Sequence, residues 1–325
     1  MKKTVLFSVI VLFIIGLVGA IAFYPNDKNN SENLTSITFA THKIPLAAPY
    51  IIAKEKNLFS KYGLDVEMVY LTTGLETLHA LTSKNAQFAS TGVTPFVHFS
   101  FQRQDVKIIN QVTLADDFQL IARLDSGISN LEDLKNKKIG YVKGTVTQLA
   151  IVDTLKQVDI EPGEYELVEL NQPLSLPSAL QNKDLDAFCA WEPFISNTAK
   201  AIGLENVIVF GKDKGLHALP YLTMATNSFL ENPSNLDIII AFQKALIESV
   251  EYIHQNSSES ISIIASVTGM DKEQLEKNWN KYTFDISLEK VLLDELELEK
   301  EWFDSEQNIN YMDLIESKYL QQANE

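Results

Sequence analysis

The stretch Ala80-Leu81-Thr82-Ser83-Lys84-Asn85-Ala86-Gln87-Phe88-Ala89 has a counterpart 99 positions downstream, Ala179-Leu180-Gln181-Asn182-Lys183-Asp184-Leu185-Asp186-Ala187-Phe188. In each copy an apolar pair ends a helical pattern, four polar residues turn the chain, and a short apolar run follows that reads as a strand. Each strand leads into a proline-aromatic helix start, Thr94-Pro95-Phe96 in one copy and Glu192-Pro193-Phe194 in the other. A repeated unit at this distance predicts two lobes of like topology. The chain is expected to cross between them at about residues 116–120 and to return at about 221–225.

Outward from this repeat, short strand patterns alternate with longer helical ones, as in an α/β fold with mainly parallel sheets. Strands are expected at 36–40, 64–70, 88–90, 106–112, 138–142, 166–170, 185–190 and 207–210, with an extended run at 118–124. Helices are expected at 47–57, 73–83, from 94 onward, and at 148–158. After the return the chain reads as almost wholly helical. Ile239, Phe242, Leu246, Val250 and Ile253 mark one apolar helix face. Further helices are expected at 257–267, 271–281, 287–303 and 311–320, with Ser257, Asp271 and Ser287 as N-caps. The heptad-like Leu288, Val291, Leu292, Glu295, Leu296 run is too short for a coiled coil and is expected to pack on a lobe.

The chain has 325 residues, of which 46% are hydrophobic and 22% charged, a composition that folds. Its formal charge of -16 repels phosphate backbones, so nucleic acid is not an expected partner. One cysteine, Cys189, excludes an internal disulfide framework, and the five histidines lack metal-ligand spacing. No GxxxxGK[ST], GxSxG or GxGxxG motif occurs. Lys2 and Lys3 precede an uncharged apolar run from Val5 to Tyr24, followed by a polar stretch, so residues 1–30 read as a signal peptide or signal anchor with a linker. The folded body is therefore expected outside the cytoplasm.

Parallel sheets put ligand sites at the carboxyl ends of their strands, where helix N-termini converge. Here those positions repeatedly carry glycine and hydroxyl residues: Thr41-His42, Thr72-Thr73-Gly74, Ser90-Thr91-Gly92, and Gly144-Thr145. Such loops let backbone N–H groups reach a small polar or anionic group. Trp191 offers an apolar or cation-binding wall, and Glu192 is expected to take an amino group. Tyr221 reads as a hinge or a cleft wall.

Three longer stretches, 49–66 (PYIIAKEKNLFSKYGLDV), 131–140 (LEDLKNKKIG) and 186–193 (DAFCAWEP), resemble the solute-binding proteins of ABC importers in the nitrate, sulfonate, taurine and thiamine-precursor group, called SsuA-like or NMT1/THI5-like. The resemblance runs from about Ile37 to the end. It implies a two-lobed periplasmic-binding fold, type II-like, whose parallel sheets are flanked by helices and followed by a helical C-terminal extension. The lobes would be 35–117 with 222–325, and 118–221. It also implies a monomer without cofactor that delivers a small-molecule ligand of the sulfonate, taurine or aminopyrimidine class to an ABC permease. Thr41, His42, Gly74, Ser90, Thr91, Gly144, Thr145, Trp191 and Glu192 match cleft-lining positions of relatives. No arginine occupies the matching loops, and no lipobox cysteine follows the apolar run. The alternative is an enzyme on the same fold, of the pyrimidine-precursor synthase or menaquinone-pathway type.

Overall fold

The computed structural model describes residues 34–211, 219–288, 290–303 and 307–325. The expected leader at 1–30 and His217 lie outside these residues. The described residues open with β1 (Thr35–Thr41), followed by helix α1 (Ala48–Glu55) and β2 (Leu64–Tyr70). These two strands pair in parallel from Thr35 opposite Leu64 to Thr41 opposite Tyr70. On β2, Leu64 and Val66 are buried while Asp65 and Glu67 are exposed, the alternation of an edge strand with one wet face. Helix α2 (Gly74–Thr82) starts with a capping box, in which Thr73 accepts from the Glu76 N–H and the Glu76 carboxylate accepts in return. Strand β3 (Phe88–Gly92), helix α3 (Val93–Ser100) and strand β4 (Val106–Ala115) complete the first run.

The chain then enters β5 (Gln119–Arg123) and continues through β6 (Lys138–Val142), α4 (Thr147–Lys156), β7 (Glu166–Leu170), α5 (Ser175–Gln181), β8 (Ala187–Ala190), α6 (Phe194–Ile202) and β9 (Val207–Phe210). Strand β10 (Leu219–Thr226) follows. Two sheets result, one ordered β11-β4-β10-β3-β1-β2 and one ordered β7-β6-β8-β5-β9, where β11 is Tyr282–Ser287. The repeat explains their likeness, since β2-β1-β3-β10-β4 and β7-β6-β8-β5-β9 are the same arrangement. In each sheet the fourth strand of that order runs antiparallel to both neighbours: β10 between β3 and β4, and β5 between β8 and β9. The fold is a mixed α/β architecture with two sheets flanked by helices.

Helix α7 (Leu236–Gln255) covers the first sheet with the expected apolar face, all of whose members are buried. Phe242 stacks on Phe88, with centroids 4.2 Å apart and planes at 16°, and on Phe59 at 5.2 Å. Beneath this stack lies a fully paired polar chain. The Tyr50 hydroxyl meets Thr223 Oγ1 at 2.7 Å, the Thr223 hydroxyl donates to the Asn110 side-chain carbonyl, and the Asn110 amide donates to Gln243 Oε1. Gln243 Nε2 in turn donates to the Ile109 carbonyl at 3.1 Å. Unpaired, each such buried group would cost about 1–3 kcal/mol. In the second sheet buried Arg123 donates to the Leu180 and Leu185 carbonyls and pairs with Asp125 and Asp186.

The C-terminal region departs from the all-helical expectation. Tyr282-Thr283-Phe284-Asp285 alternates buried and exposed and forms β11, paired antiparallel with β4. Ser287 therefore ends a strand and caps no helix. After α8 (Ser257–Thr268), whose N-cap position is Asn256 and not Ser257 and carries no side-chain cap, comes α9 (Lys272–Asn278), which Asp271 does cap by accepting from the Gln274 N–H at 3.1 Å. Helix α10 is Lys290–Trp302, and its Leu292 and Leu296 pack among Phe96, Val97 and Ile108. The expected helix at 311–320 is a single turn, Tyr311–Leu314, separated from α11 (Lys318–Asn324). The chain between them extends so that Ile315 bridges Ile108 and the Glu316 N–H donates to its carbonyl.

Two buried carboxyls titrate abnormally. Burial, reinforced by the Glu192 charge, pushes Asp117 up to about 7, although the Tyr282 hydroxyl donates to its Oδ2 at 2.9 Å. Burial likewise pushes Glu299 up to about 8, with the Thr94 hydroxyl donating to Oε1 at 2.9 Å. The folded state thus holds protons that the unfolded chain releases near pH 4, so their stabilising effect is complete below that pH and is lost progressively as pH rises to about 7 and 8. Urea unfolding should show stability falling between about pH 4.5 and 8 and levelling above, and Glu299→Gln should reduce the slope of that fall by about 1.4 kcal/mol per pH unit. A variant curve parallel to wild type would contradict this. By the same measurement Phe242→Ala should cost about 3–5 kcal/mol, because the buried rings of Phe39, Phe59 and Phe88 lose their partner.

Candidate functional site

The carboxyl ends of β1, β3, β6 and β8 converge on a cavity of about 580 Å³, its mouth included. The first sheet supplies His42 after β1, Thr73 and Gly74 at the start of α2, Thr91 at the end of β3, Thr94 at the start of α3, and Tyr221 from β10. The second sheet supplies Thr145 ahead of α4 and Trp191 after β8, while Phe118 comes from the crossing between the sheets. Gln172 Nε2 lies 3.4 Å from Glu76 Oε1, joining the loop after β7 to the start of α2.

The inner wall is polar yet uncharged. Tyr221 Oη lies 2.5 Å from His42 Nδ1, and the Ser90 hydroxyl sits 3.0 Å from Tyr221 Oη and 2.7 Å from Thr41 Oγ1. Burial lowers the His42 pKa to about 4, against the opposing pull of a backbone hydrogen bond at Thr73 and the Glu76 charge. The imidazole is therefore neutral at pH 7. Burial also raises the Tyr221 phenol, which stays protonated.

Close backbone approach shapes the opposite side. A Cβ on Gly74 would lie 1.8 Å from Thr91 Oγ1 and 2.7 Å from Pro95 Cγ, so only glycine brings α2 this near to β3. Gly144 has φ +69°, and a Cβ there would come within 3.2 Å of Leu75 Cδ1. Thr91 Oγ1 is buried and has no hydrogen-bond partner among the described residues. Trp191 meets Phe118 edge-on, with centroids 6.1 Å apart, and Phe194 at 5.6 Å, so its ring is held as a fixed wall.

Of the residues expected at the site, His42, Gly74, Thr91, Thr145, Trp191 and Tyr221 line the cavity. Thr41, Ser90, Gly144 and Glu192 do not. Thr41 and Ser90 form the hydrogen-bonded layer behind Tyr221, and Gly144 turns the chain that presents Thr145. Thr145 Oγ1 donates to the Val142 carbonyl at 2.9 Å, so its hydroxyl is engaged within its own loop. Glu192 turns away entirely. Its carboxylate accepts from the Ser196 N–H and hydroxyl at the start of α6 and, at 3.1 Å, from the Asn278 amide on α9. The expected amino-group contact has no carboxylate in the cavity. Ile44, Leu46 and Phe118 line the cavity unforeseen, since a short apolar residue after a strand carries no signal separating a ligand wall from core.

Among the described residues no group of three or more His, Cys, Asp or Glu is placed to hold a metal ion, and no helix is long and apolar enough to cross a membrane. Cys189 is packed in the core of the second sheet, where burial pushes its thiol far above the ordinary range.

A Bacillus subtilis protein named for binding aliphatic sulfonates is 24% identical over 284 residues, covering 85% of this chain and 81% of its own. The taurine-binding periplasmic protein of Escherichia coli is 24% identical over 233 residues, covering 69% and 71%. Among solved structures, the periplasmic aliphatic sulphonate binding protein SsuA of Escherichia coli superposes with a TM-score of 0.71 at 18% identity, covering 86% of this chain and 97% of that one. The two sheets, their helical flanks and this superposition make the architecture a periplasmic-binding-protein fold. Residues 44–260, more than half of the chain, match the family described as NMT1/THI5 like, and the protein belongs to that family.

Proposed function

We propose that the protein is the extracytoplasmic solute-binding receptor of an ABC importer, capturing a small organic molecule in this cavity and delivering it to a membrane permease. The observation that carries the reading is that both sheets contribute walls to one cavity. A ligand seated there touches both, so its binding free energy acts on their separation, and a permease can read the result. In this reading residues 35–117 with 222–325 form one lobe and 118–221 the other, and the receptor works as a monomer without cofactor. Relatives named for aliphatic sulfonates and taurine make sulfonates, taurine and aminopyrimidines the first compounds to screen.

An enzyme on the same fold is the competing reading. A nucleophilic thiol would be the simplest means of covalent chemistry, but Cys189 is buried in the second sheet and does not line the cavity. A thermal-shift screen should find a compound that stabilises the protein by about 2.7 kcal/mol at 100 times its Kd. Mass spectrometry should then recover that compound unchanged, whereas conversion to product would overturn the receptor reading. Trp191→Ala should weaken the same compound about tenfold or more, a loss of roughly 1.4 kcal/mol or greater. Glu192→Gln, which alters no lining residue, should leave its affinity within about twofold of wild type.

A further inference from the structure

The cavity is lined by apolar and neutral polar side chains, and none of the residues that form it is Lys, Arg, Asp or Glu. The lysines nearest in sequence to its loops are engaged elsewhere: Lys43 Nζ sits over the Tyr70 ring at 5.1 Å, and Lys143 pairs with Glu169 at 2.9 Å. Its one histidine is neutral. A ligand anion would therefore depend on helix N-termini, and the one at α2 carries a carboxylate of its own. The Glu76 carboxylate accepts from the Thr72 and Thr73 N–H groups at 2.9 Å each, and the Thr73 hydroxyl accepts from the Glu76 N–H, so the capping box places a carboxylate at the very end of α2 where an anion would have to approach. Burial opposes its charge, but those backbone hydrogen bonds hold its carboxyl below the ordinary range, so a full negative charge stands beside the cavity.

Helix α3 lacks a side-chain cap at Gly92, and with Pro95 in its first turn it offers the Val93 and Thr94 N–H groups. An N-terminus of this kind carries about half a positive charge, less than the unit charge on Glu76. The local field favours a dipole with its acceptor toward α3 and disfavours a complete anion. Thr91 Oγ1, buried and unpartnered beside this terminus, supplies a specific hydrogen bond for such an acceptor. Trp191, Phe118, Ile44 and Leu46, which also line the cavity, provide an apolar wall suited to a flat or aliphatic body.

We infer that the cavity selects an uncharged molecule, with a ring-sized apolar body and one hydrogen-bond-accepting head at Thr91 and the α3 N-terminus, and discriminates against the corresponding anion. The inference rests on the receptor reading and names the ligand class of the same site. It sets this chain apart from relatives named for sulfonates and taurine.

The test uses shape-matched pairs on the full chain at pH 7: benzenesulfonamide against benzenesulfonate, and benzamide against benzoate, measured by ligand-observed NMR and calorimetry. The neutral member of each pair should bind at least tenfold more tightly. A sulfonate or carboxylate that binds equally well or better overturns the inference and leaves the receptor reading intact, while binding by none of the four overturns both. Glu76→Gln, which keeps a residue able to cap α2, should narrow the preference to less than threefold, and an unchanged ratio overturns the role given to its charge. Thr91→Val should weaken benzenesulfonamide at least fivefold, and unaltered affinity removes that hydroxyl from the site.

Discussion

Strand β10 lies antiparallel between β3 and β4, and its register governs much of the rest. Tyr221 pairs with Gly92, and Thr223 with Ser90. Because side chains two apart share a face, this register sends the Tyr221 hydroxyl to His42 and Ser90, and the Thr223 hydroxyl to Tyr50 and Asn110. One strand thus carries both the floor of the cavity and the top of the polar chain beneath α7. A slip by one residue would turn both hydroxyls to the opposite face and strand their partners in the core, so pairing and polar satisfaction enforce one another.

Much of this architecture could be read in advance where one local rule dominates. The bounds of β2, β6, β7 and β9 coincide with runs whose burial pattern and flanking turns leave little choice. The repeat located β3 and β8 at equivalent places in two sheets. The C-terminal region was harder because long-range pairing overrides local propensity there: Tyr282-Thr283-Phe284-Asp285 becomes a strand only because the outer edge of β4 is available to it. The same distinction runs through the site. Glycines and hydroxyls at strand ends were visible because such loops need them, and six of the ten expected residues line the cavity. The orientation of Glu192 depends on Ser196 and on Asn278, whose helix lies far along the chain, and a local reading cannot see the latter.

The cavity also contrasts with the surface around it. A chain with formal charge -16 presents no charged side chain to this cavity, and it keeps two strongly perturbed carboxyls, Asp117 and Glu299, behind the lining, where burial favours their protonated forms. Selectivity at such a site comes from shape, from a few neutral hydrogen-bonding groups, and from the cost of removing ligand charge from water.

The nesting of one sheet's segment within the other's has a consequence in time as well as in space. The five-stranded sheet draws every strand from the continuous segment Gln119–Phe210. The six-stranded sheet needs β1 at its start and β11, which ends at Ser287. A chain emerging from its N-terminus therefore presents the whole of the smaller sheet while the larger one still lacks two strands, leaving the edges of β3 and β4 open. The nested segment can condense autonomously on local contacts, whereas the enclosing sheet must bear the greater loop-closure entropy and waits for sequence-distant partners. Those waiting edges are the stage at which such a chain is most vulnerable to intermolecular pairing.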